Sequence, residues 1–313
     1  MKAVVYNKYG ISNVLELKEI PKPEPNTNEV LIKVYSASIN PVDWKLRRGD
    51  FRFITGRHFP IIPGQDCSGI VEKVGSIVKN FKIGDEVIAS TRLKQGCYSE
   101  YVAVKEKYVY KKWEAISFEE AASIPIAGIT ALQALVEKAN IRKNMNVLIN
   151  GASGGVGTFA LQIAKVFDTN VTAVTSYRNI EFVKRLGADY AIDYTTTDFT
   201  QLGQKYDIIF DTVSTRKYKE CINSLTKNGV FVNTLLTPEI ALYSLVTFFY
   251  SGKKCKSILV RPKQQHFDWF EKYIKNEQIR IIIDKTYPLE KAKEATNYSE
   301  SGRVVGKICL KMI

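Results

Sequence analysis

Apolar and polar positions along this chain follow two different periods. Up to about residue 104 the apolar residues recur at every second position in short runs, at 2–6, 30–37, 68–74, 86–90 and 98–104. That spacing predicts half-buried strands. Between the runs stand PKPEPN, FPIIPG and FKIGDE, turn-rich stretches that suit the long loops of an antiparallel, barrel-like β domain. Helical spacing enters only at 44–48 and 117–124. From residue 130 the pattern changes, with a helical stretch at 130–139 leading to a strand that starts at Asn146. Further strands at 170–175, 190–192, 207–210, 229–233 and 257–260 are interleaved with a helix at 180–186. Repeated βα alternation predicts a parallel, doubly wound sheet. The chain closes with a helix at 265–275, an extended stretch at 281–288, a helix at 289–299 and a strand at 307–312. This tail is too small to form a domain and is placed back on the first. The expected organisation is therefore a domain of residues 1–120 completed by 265–313, and a second of residues 121–264.

The second domain opens on NVLINGASGGVG (146–157), an apolar run that breaks into small residues and continues as the helical TFALQIAKVF. Counting back from Gly157, the dinucleotide spacing GxGxxG is present with Ala152 in the first glycine slot and Gly154 in the second. Gly154 would let the backbone approach a pyrophosphate, and Gly157 would let the helix pack closely on the strand. The N–H groups at the helix start, with Ser153, Gly155 and Val156, would hold the anion. Glycine clusters also end strands for conformational reasons alone, but the surrounding βα units favour the dinucleotide reading.

Composition narrows the function classes. At 313 residues, 45% hydrophobic and 25% charged, the chain is long enough for two cores. The start lacks the apolar core and cleavage site of a signal peptide, and the longest apolar run, 240–250, is too short to span a bilayer. A cytoplasmic chain without a membrane span is expected. Five scattered cysteines with no CxxC pair support neither a disulfide framework nor a cysteine-rich zinc site, and there are only two histidines, His58 and His266. The net charge of +13 suits an anionic partner, yet the basic residues are spread along the whole chain. A solvated lysine-rich surface accounts for them, and no specific nucleic acid is expected.

The chain resembles the medium-chain dehydrogenase/reductase superfamily, and within it the zinc-free branch of quinone oxidoreductases and alkenal or enone reductases. The similarity runs over essentially the whole length and rests on SINPVDWKLRRG (38–49), FPIIPGQDCSGIVEKVG (59–75), FKIGDEV (81–87), GASGGVGTFALQIAK (151–165), LGADYAIDY (186–194), YDIIFDTV (206–213) and SGRVVGKICL (301–310). The resemblance implies an α/β protein, with a GroES-like β-barrel catalytic domain and a Rossmann domain with a doubly wound parallel sheet.

Zinc alcohol dehydrogenases of this superfamily hold their metal with Cys, His and Cys. At the matching positions this chain has Asn40 for the first cysteine and Gln65 for the histidine, no cysteine in 125–128, and Cys97 alone in the region of the structural zinc lobe. Carboxamides are poor zinc ligands beside thiolate and imidazole, so no metal is expected. What remains is hydride transfer from a reduced nicotinamide to an acceptor that needs no Lewis acid, such as a quinone or an α,β-unsaturated carbonyl. Asn40 and Gln65 are the candidate donors to the developing oxyanion, and Lys45 could add charge or a proton through water. Each could equally fix a loop. Asp43 and Asp66 resemble loop-bracing positions, while Phe51, Phe53 and Phe59 could line an apolar pocket or simply pack.

The strand expected at 170–175 is followed by Ser176-Tyr177-Arg178, with no acid to bind ribose hydroxyls. Ser176 can donate to a 2′-phosphate and Arg178 can pair with it, which favours NADPH, although Arg178 could also be a plain exposed residue. Tyr194 resembles a family residue that lies against the adenosine phosphate, and Thr130 and Lys307 complete the cofactor set that the resemblance implies. Two other roles stay open: an NADPH-binding protein with an RNA-binding or structural role, and a reductase weakly associated with a membrane through the apolar 235–250, which could also be a pocket flap or subunit contact. The family also implies a homodimer or a monomer.

Overall fold

The computed structural model describes residues 1–52 and 58–312. Two compact units divide the chain: Met1–Ile126 with Pro262–Glu271 and Ile281–Ile313, and Ala127–Arg261 with Lys272–Arg280. In chain order the first stretch holds β1 (Lys2–Val5), β2 (Glu16–Glu19), β3 (Glu29–Ile39), α1 (Pro41–Arg48), β4 (Asp66–Val74), β5 (Glu86–Ser90), β6 (Tyr101–Lys105), β7 (Val109–Lys111) and α2 (Phe118–Ser123). Then come α3 (Ile129–Leu132), β8 (Asn146–Asn150), α4 (Gly155–Val166), β9 (Asn170–Thr175), α5 (Ile180–Arg185), β10 (Tyr190–Asp193), β11 (Tyr206–Asp211), α6 (Tyr218–Cys221), β12 (Leu225–Asn233), α7 (Pro238–Phe249) and β13 (Lys254–Ser257). The chain ends with α8 (Gln264–Lys275), β14 (Ile283–Pro288), α9 (Ala292–Glu300) and β15 (Lys307–Lys311).

The first unit is built on β3, eleven residues long and buried along most of both faces. The sheet runs β14-β15-β3-β4-β5-β7, with β6 also on β3 and β1 paired separately with β2. Every pairing is antiparallel except β14 with β15. Val30, Ile32, Val34 and Ile39 join Tyr6, Val71, Val87, Val104, Ile308 and Leu310 in one core. Each such side chain contributes about 1.5–3 kcal/mol by leaving water. β2 has no apolar face, since all four residues of ELKE are exposed. Periodicity therefore gives no sign of it, and only its pairing with β1 defines it.

Register across this sheet decides which polar groups meet. Ile308 lies opposite Ile39, Ser38 opposite Asp66, and Asp66 opposite Ser90. One end of three neighbouring strands thus gathers Lys307, Asn40 and Asp66.

The second unit has a wholly parallel sheet in the order β10-β9-β8-β11-β12-β13. Strand order reverses between β8 and β11, which in open α/β sheets is where ligands settle at the carboxyl ends of strands. The strand expected at 257–260 is β13 at Lys254–Ser257 instead, because Val230–Asn233 of β12 pairs with those residues. Its sequence, KCKS, buries only Cys255, whereas the more apolar Leu259 lies past the pairing and is 68% exposed. The apolar stretch before it forms α7, started by Thr237, whose side chain accepts from the N–H of Ile240, and by Pro238 at the first turn. Leu242, Leu245, Phe248 and Phe249 stand exposed on this helix. Among the described residues no helix is long and apolar enough to cross a membrane.

Candidate functional site

In the first unit, Asn40 is the N-cap of α1, and its backbone N–H donates to Asp43 Oδ2 at 2.8 Å. Its carboxamide is committed on both sides. Nδ2 donates to Asp66 Oδ2 at 3.0 Å and more weakly to Ser38 Oγ at 3.5 Å, while Oδ1 accepts from Lys307 Nζ at 2.6 Å. Lys307 also donates to the Ile39 carbonyl at 3.0 Å. Asp66 takes further bonds from Ser90 Oγ at 3.2 Å and the Ile126 N–H at 3.0 Å, and Tyr98 donates its hydroxyl to Asp43 at 3.1 Å. Burial pushes both the Asp43 and the Asp66 carboxyls up to about 7, with the neighbouring backbone donor or the Lys307 charge pulling the other way. Burial lowers Lys307 below the ordinary lysine range, against the attraction of Asp66. Lys307 and the Asp66 carboxyl are thus joined through the Asn40 carboxamide, and the Asp43 carboxyl is tied to the same residue through its backbone N–H.

Gln65 immediately precedes β4. Its carbonyl accepts from Thr91 N at 2.7 Å, which fixes the backbone, yet among the described residues its buried side-chain Nε2 has no hydrogen-bond partner. Lys45 lies half-buried on α1, 5.6 Å from the centre of the Trp44 ring, and burial lowers its pKa, with Asp50 opposing. Phe59 packs edge-on against Tyr6 and Tyr9, as expected of a packing residue. Phe53 falls outside the described residues.

In the second unit, β8 ends at Asn150, and the N–H groups of Gly151 and Ala152 both donate to the Val174 carbonyl at 3.0 Å. This staples the loop to β9. The first bond into α4 runs from Thr158 N to the Gly154 carbonyl at 2.9 Å. The N–H groups of Gly155, Val156 and Gly157 therefore precede any helical acceptor and are available to an anion. A Cβ on Gly154 would meet only the Gly151 carbonyl at 3.4 Å, so this glycine leaves a cradle open. On Gly157 it would lie 2.1 Å from that same oxygen. Ser153 Oγ accepts from Thr175 Oγ1 at 2.9 Å and Asn179 Nδ2 at 3.0 Å. Ser176 is half-buried at the end of β9, and Arg178 stands exposed on the following turn with no hydrogen bond or ion pair among the described residues. Asp193 Oδ1 accepts from Tyr177 N at 3.1 Å and so shapes that turn. Its carboxyl is held below the usual range by the Thr195 N–H.

The chain as a whole has relatives among known proteins. Residues 26–114 match the Alcohol dehydrogenase GroES-like domain, and residues 186–310 the family described as Zinc-binding dehydrogenase. A Chloroplast envelope quinone oxidoreductase homolog from Arabidopsis thaliana is 38% identical over 98% of this chain and 97% of its own length. The chain belongs to the medium-chain dehydrogenase/reductase superfamily, in its quinone oxidoreductase and enone reductase branch. A second Arabidopsis thaliana relative, the NADPH-dependent alkenal/one oxidoreductase, chloroplastic, is 34% identical over 98% of this chain and 78% of its own length. The quinone oxidoreductase structure from Coxiella burnetii superposes with a TM-score of 0.92 at 33% identity, covering 100% of this chain and 99% of that one.

As a member of this superfamily the chain is an oxidoreductase that uses a nicotinamide cofactor on a small-molecule substrate. The glycine loop, with its open cradle at Gly154 and free N–H groups, fits such a cofactor. Two residues differ in setting from what the resemblance implies. Lys307, expected among the cofactor residues, is 3% exposed and spends its donors on Ile39 and Asn40. The register of β15 against β3 puts it there. Asn40, expected as a donor to the acceptor, has its amide N–H groups engaged by Asp66 and Ser38. Of the remaining cofactor candidates, Thr130 is buried on α3 and Tyr194 is 60% exposed just past β10. The resemblance marks Asp43 and Asp66 only as loop-bracing positions, and the sequence carries no sign that they share a buried site with Lys307. No periodicity carries that signal; only strand register does.

Proposed function

We propose that the chain transfers hydride from NADPH to a quinone or an α,β-unsaturated carbonyl, and does so without zinc. The observation that carries this reading is the donor set at the end of β15, β3 and β4. The Lys307 amine lies 2.6 Å from Asn40, the residue at the first zinc-ligand position of the alcohol dehydrogenases. The Lys307 amine competes for that position, and the two side chains standing at the first cysteine and the histidine positions, Asn40 and Gln65, are carboxamides rather than thiolate or imidazole. Among the described residues no cluster of three or more His, Cys, Asp or Glu is disposed to hold a metal. Donors without a metal suit reduction of an electron-poor acceptor, because hydride adds directly and only the resulting oxyanion needs stabilising. Alcohol oxidation would also need the hydroxyl proton removed. The bound nicotinamide supplies the hydride; Gln65 offers a spare donor to the acceptor oxygen, and Lys45 is the further charged candidate on α1. The names of the two plant relatives support both acceptor classes.

The test is NADPH oxidation with 9,10-phenanthrenequinone and with an alkenal, before and after exhaustive chelation. Consumption with either acceptor, unchanged by chelation and with no ethanol oxidation, is expected. Robust ethanol oxidation that chelation abolishes would overturn both the reaction and its metal independence.

For the cofactor we propose NADPH over NADH, held by the 152–157 loop and Thr130, with Ser176 and Arg178 at the 2′-phosphate and Tyr194 beside the adenosine. An exposed guanidinium lacking a protein partner keeps its donors for a ligand. Arg178→Ala is expected to weaken NADPH by about 1.5–3 kcal/mol, a tenfold to hundredfold change in Kd, and leave NADH almost unaffected. Fluorescence titration with both nucleotides measures it, and equal losses would place Arg178 away from the phosphate.

A further inference from the structure

Under α1 lies a cavity of about 10 Å³ whose walls include Asp43, Trp44 and Arg47 of that helix, Thr296 of α9, Leu15 and Tyr98. All of these except the half-buried Trp44 are buried. Most polar atoms of these side chains are already committed. Tyr98 donates its hydroxyl to Asp43 Oδ2 at 3.1 Å, Arg47 Nε donates to the Gly10 carbonyl at 3.1 Å and its Nη2 to Glu300, and Thr296 Oγ1 donates to the Ala292 carbonyl at 2.7 Å. Two atoms remain. Among the described residues the acceptor Asp43 Oδ1 and the donor Trp44 Nε1 are buried without a hydrogen-bond partner. The indole is also fixed in place, since the Arg48 guanidinium lies 4.8 Å from its ring centre and pairs with Glu300. Leaving either atom unpaired in the folded protein is unfavourable.

We infer that this cavity is a binding site for a single water molecule, which accepts from the Trp44 Nε1–H and donates to Asp43 Oδ1 and to the Thr296 hydroxyl oxygen. Its volume sets the size of the ligand, because about 10 Å³ is room for roughly one water. Its walls set the chemistry. A ligand that meets both unpaired atoms must accept from one and donate to the other. The N–H groups of Trp44 and Arg47 disfavour a cation, and the oxygens of Asp43 and Thr296 disfavour an anion. An apolar ligand would leave both atoms unpaired. The Thr296 oxygen is open to a donor because its own hydrogen goes to the Ala292 carbonyl, and about three partners is usual for a buried water. Asp43 Oδ2 accepts from the N–H of Asn40, the residue that caps α1. The water therefore braces the first turn of α1 and ties that helix to α9 of the closing tail.

A high-resolution crystal structure of the full chain is expected to show one ordered water within hydrogen-bonding distance of Trp44 Nε1, Asp43 Oδ1 and Thr296 Oγ1. A dry cavity, or a cavity closed by a direct bond from Trp44 to Asp43, would overturn the site. Isotope labelling of the tryptophan nitrogens reads the same water in solution. The chain has three tryptophans, and the indole signal that disappears in Trp44→Phe belongs to Trp44. In the wild type that signal is expected to show a cross-relaxation peak to water, with the sign of a water held longer than the protein takes to tumble. Its absence would mean that no lasting water bridges the two groups. Trp44→Phe keeps an aromatic ring and removes the donor, so it is expected to lose the ordered water and to melt a few degrees lower. A water that stays in the Trp44→Phe crystal, with the melting temperature unchanged, would overturn the bridge. If that variant does not fold, the wild-type crystal structure decides.

Discussion

Gly157→Ala is expected to destabilise the nucleotide-binding unit by roughly 3 kcal/mol or more, and to abolish dinucleotide binding. The added Cβ would lie 2.1 Å from the Gly151 carbonyl oxygen and 2.7 Å from the Ala152 Cα. Both are backbone atoms, and the loop that carries them is held by the two N–H bonds to the Val174 carbonyl. No side chain can swing aside, so α4 must move off the end of β8 or the loop must leave β9. Either change disorders the N–H groups of Gly155, Val156 and Gly157 that are open to an anion. Gly154→Ala is the control, since its Cβ meets nothing nearer than 3.4 Å. That variant should melt with the wild type and lose affinity for the dinucleotide only, because its methyl group enters the open cradle. Thermal unfolding beside NADPH titration separates the two. Wild-type melting of Gly157→Ala would show that the loop yields more easily than its hydrogen bonds imply.

That contrast also marks what was legible in the sequence. The GxGxxG spacing identified the loop because its glycine positions answer to local geometry, which a short stretch of chain determines. The parallel sheet was legible for the same reason, since β8, β9 and β11 are apolar runs of ordinary length. β2 and β13 were not, because ELKE and KCKS carry no hydrophobic pattern and owe their strand form to a neighbour's unpaired edge. α7 was also hidden, as apolar residues on its exposed side erase the amphipathic period. The Lys307, Asn40, Asp66 and Asp43 group lies beyond any local reading. Its members are brought together from α1, β4 and β15 by register, and a lysine in GKICL looks like an ordinary strand-edge residue until Ile308 is placed opposite Ile39. The resemblance identified Asn40 and Gln65 by position. It could not say that one of the two carboxamides is saturated and the other spare.

Gln65→Met is expected to lower turnover by roughly a hundredfold to a thousandfold while leaving stability unchanged or slightly raised. The two halves of this expectation pull against each other, and that makes them informative. A buried donor without an acceptor, as Gln65 Nε2 is, costs the folded state about 1–3 kcal/mol. Methionine fills a similar volume without that donor, and the backbone bond from Thr91 N to the Gln65 carbonyl does not depend on the side chain. A purely structural glutamine would gain nothing by being orphaned, and its loss would leave turnover intact. A glutamine kept for the acceptor accepts instability in the free protein in exchange for a hydrogen bond made when the oxyanion forms. Steady-state kinetics with NADPH and an alkenal, alongside thermal unfolding, measure both halves. Lower turnover with an undiminished melting temperature and unchanged NADPH affinity places the donor at the reacting oxygen. Unchanged turnover would remove Gln65 from the chemistry.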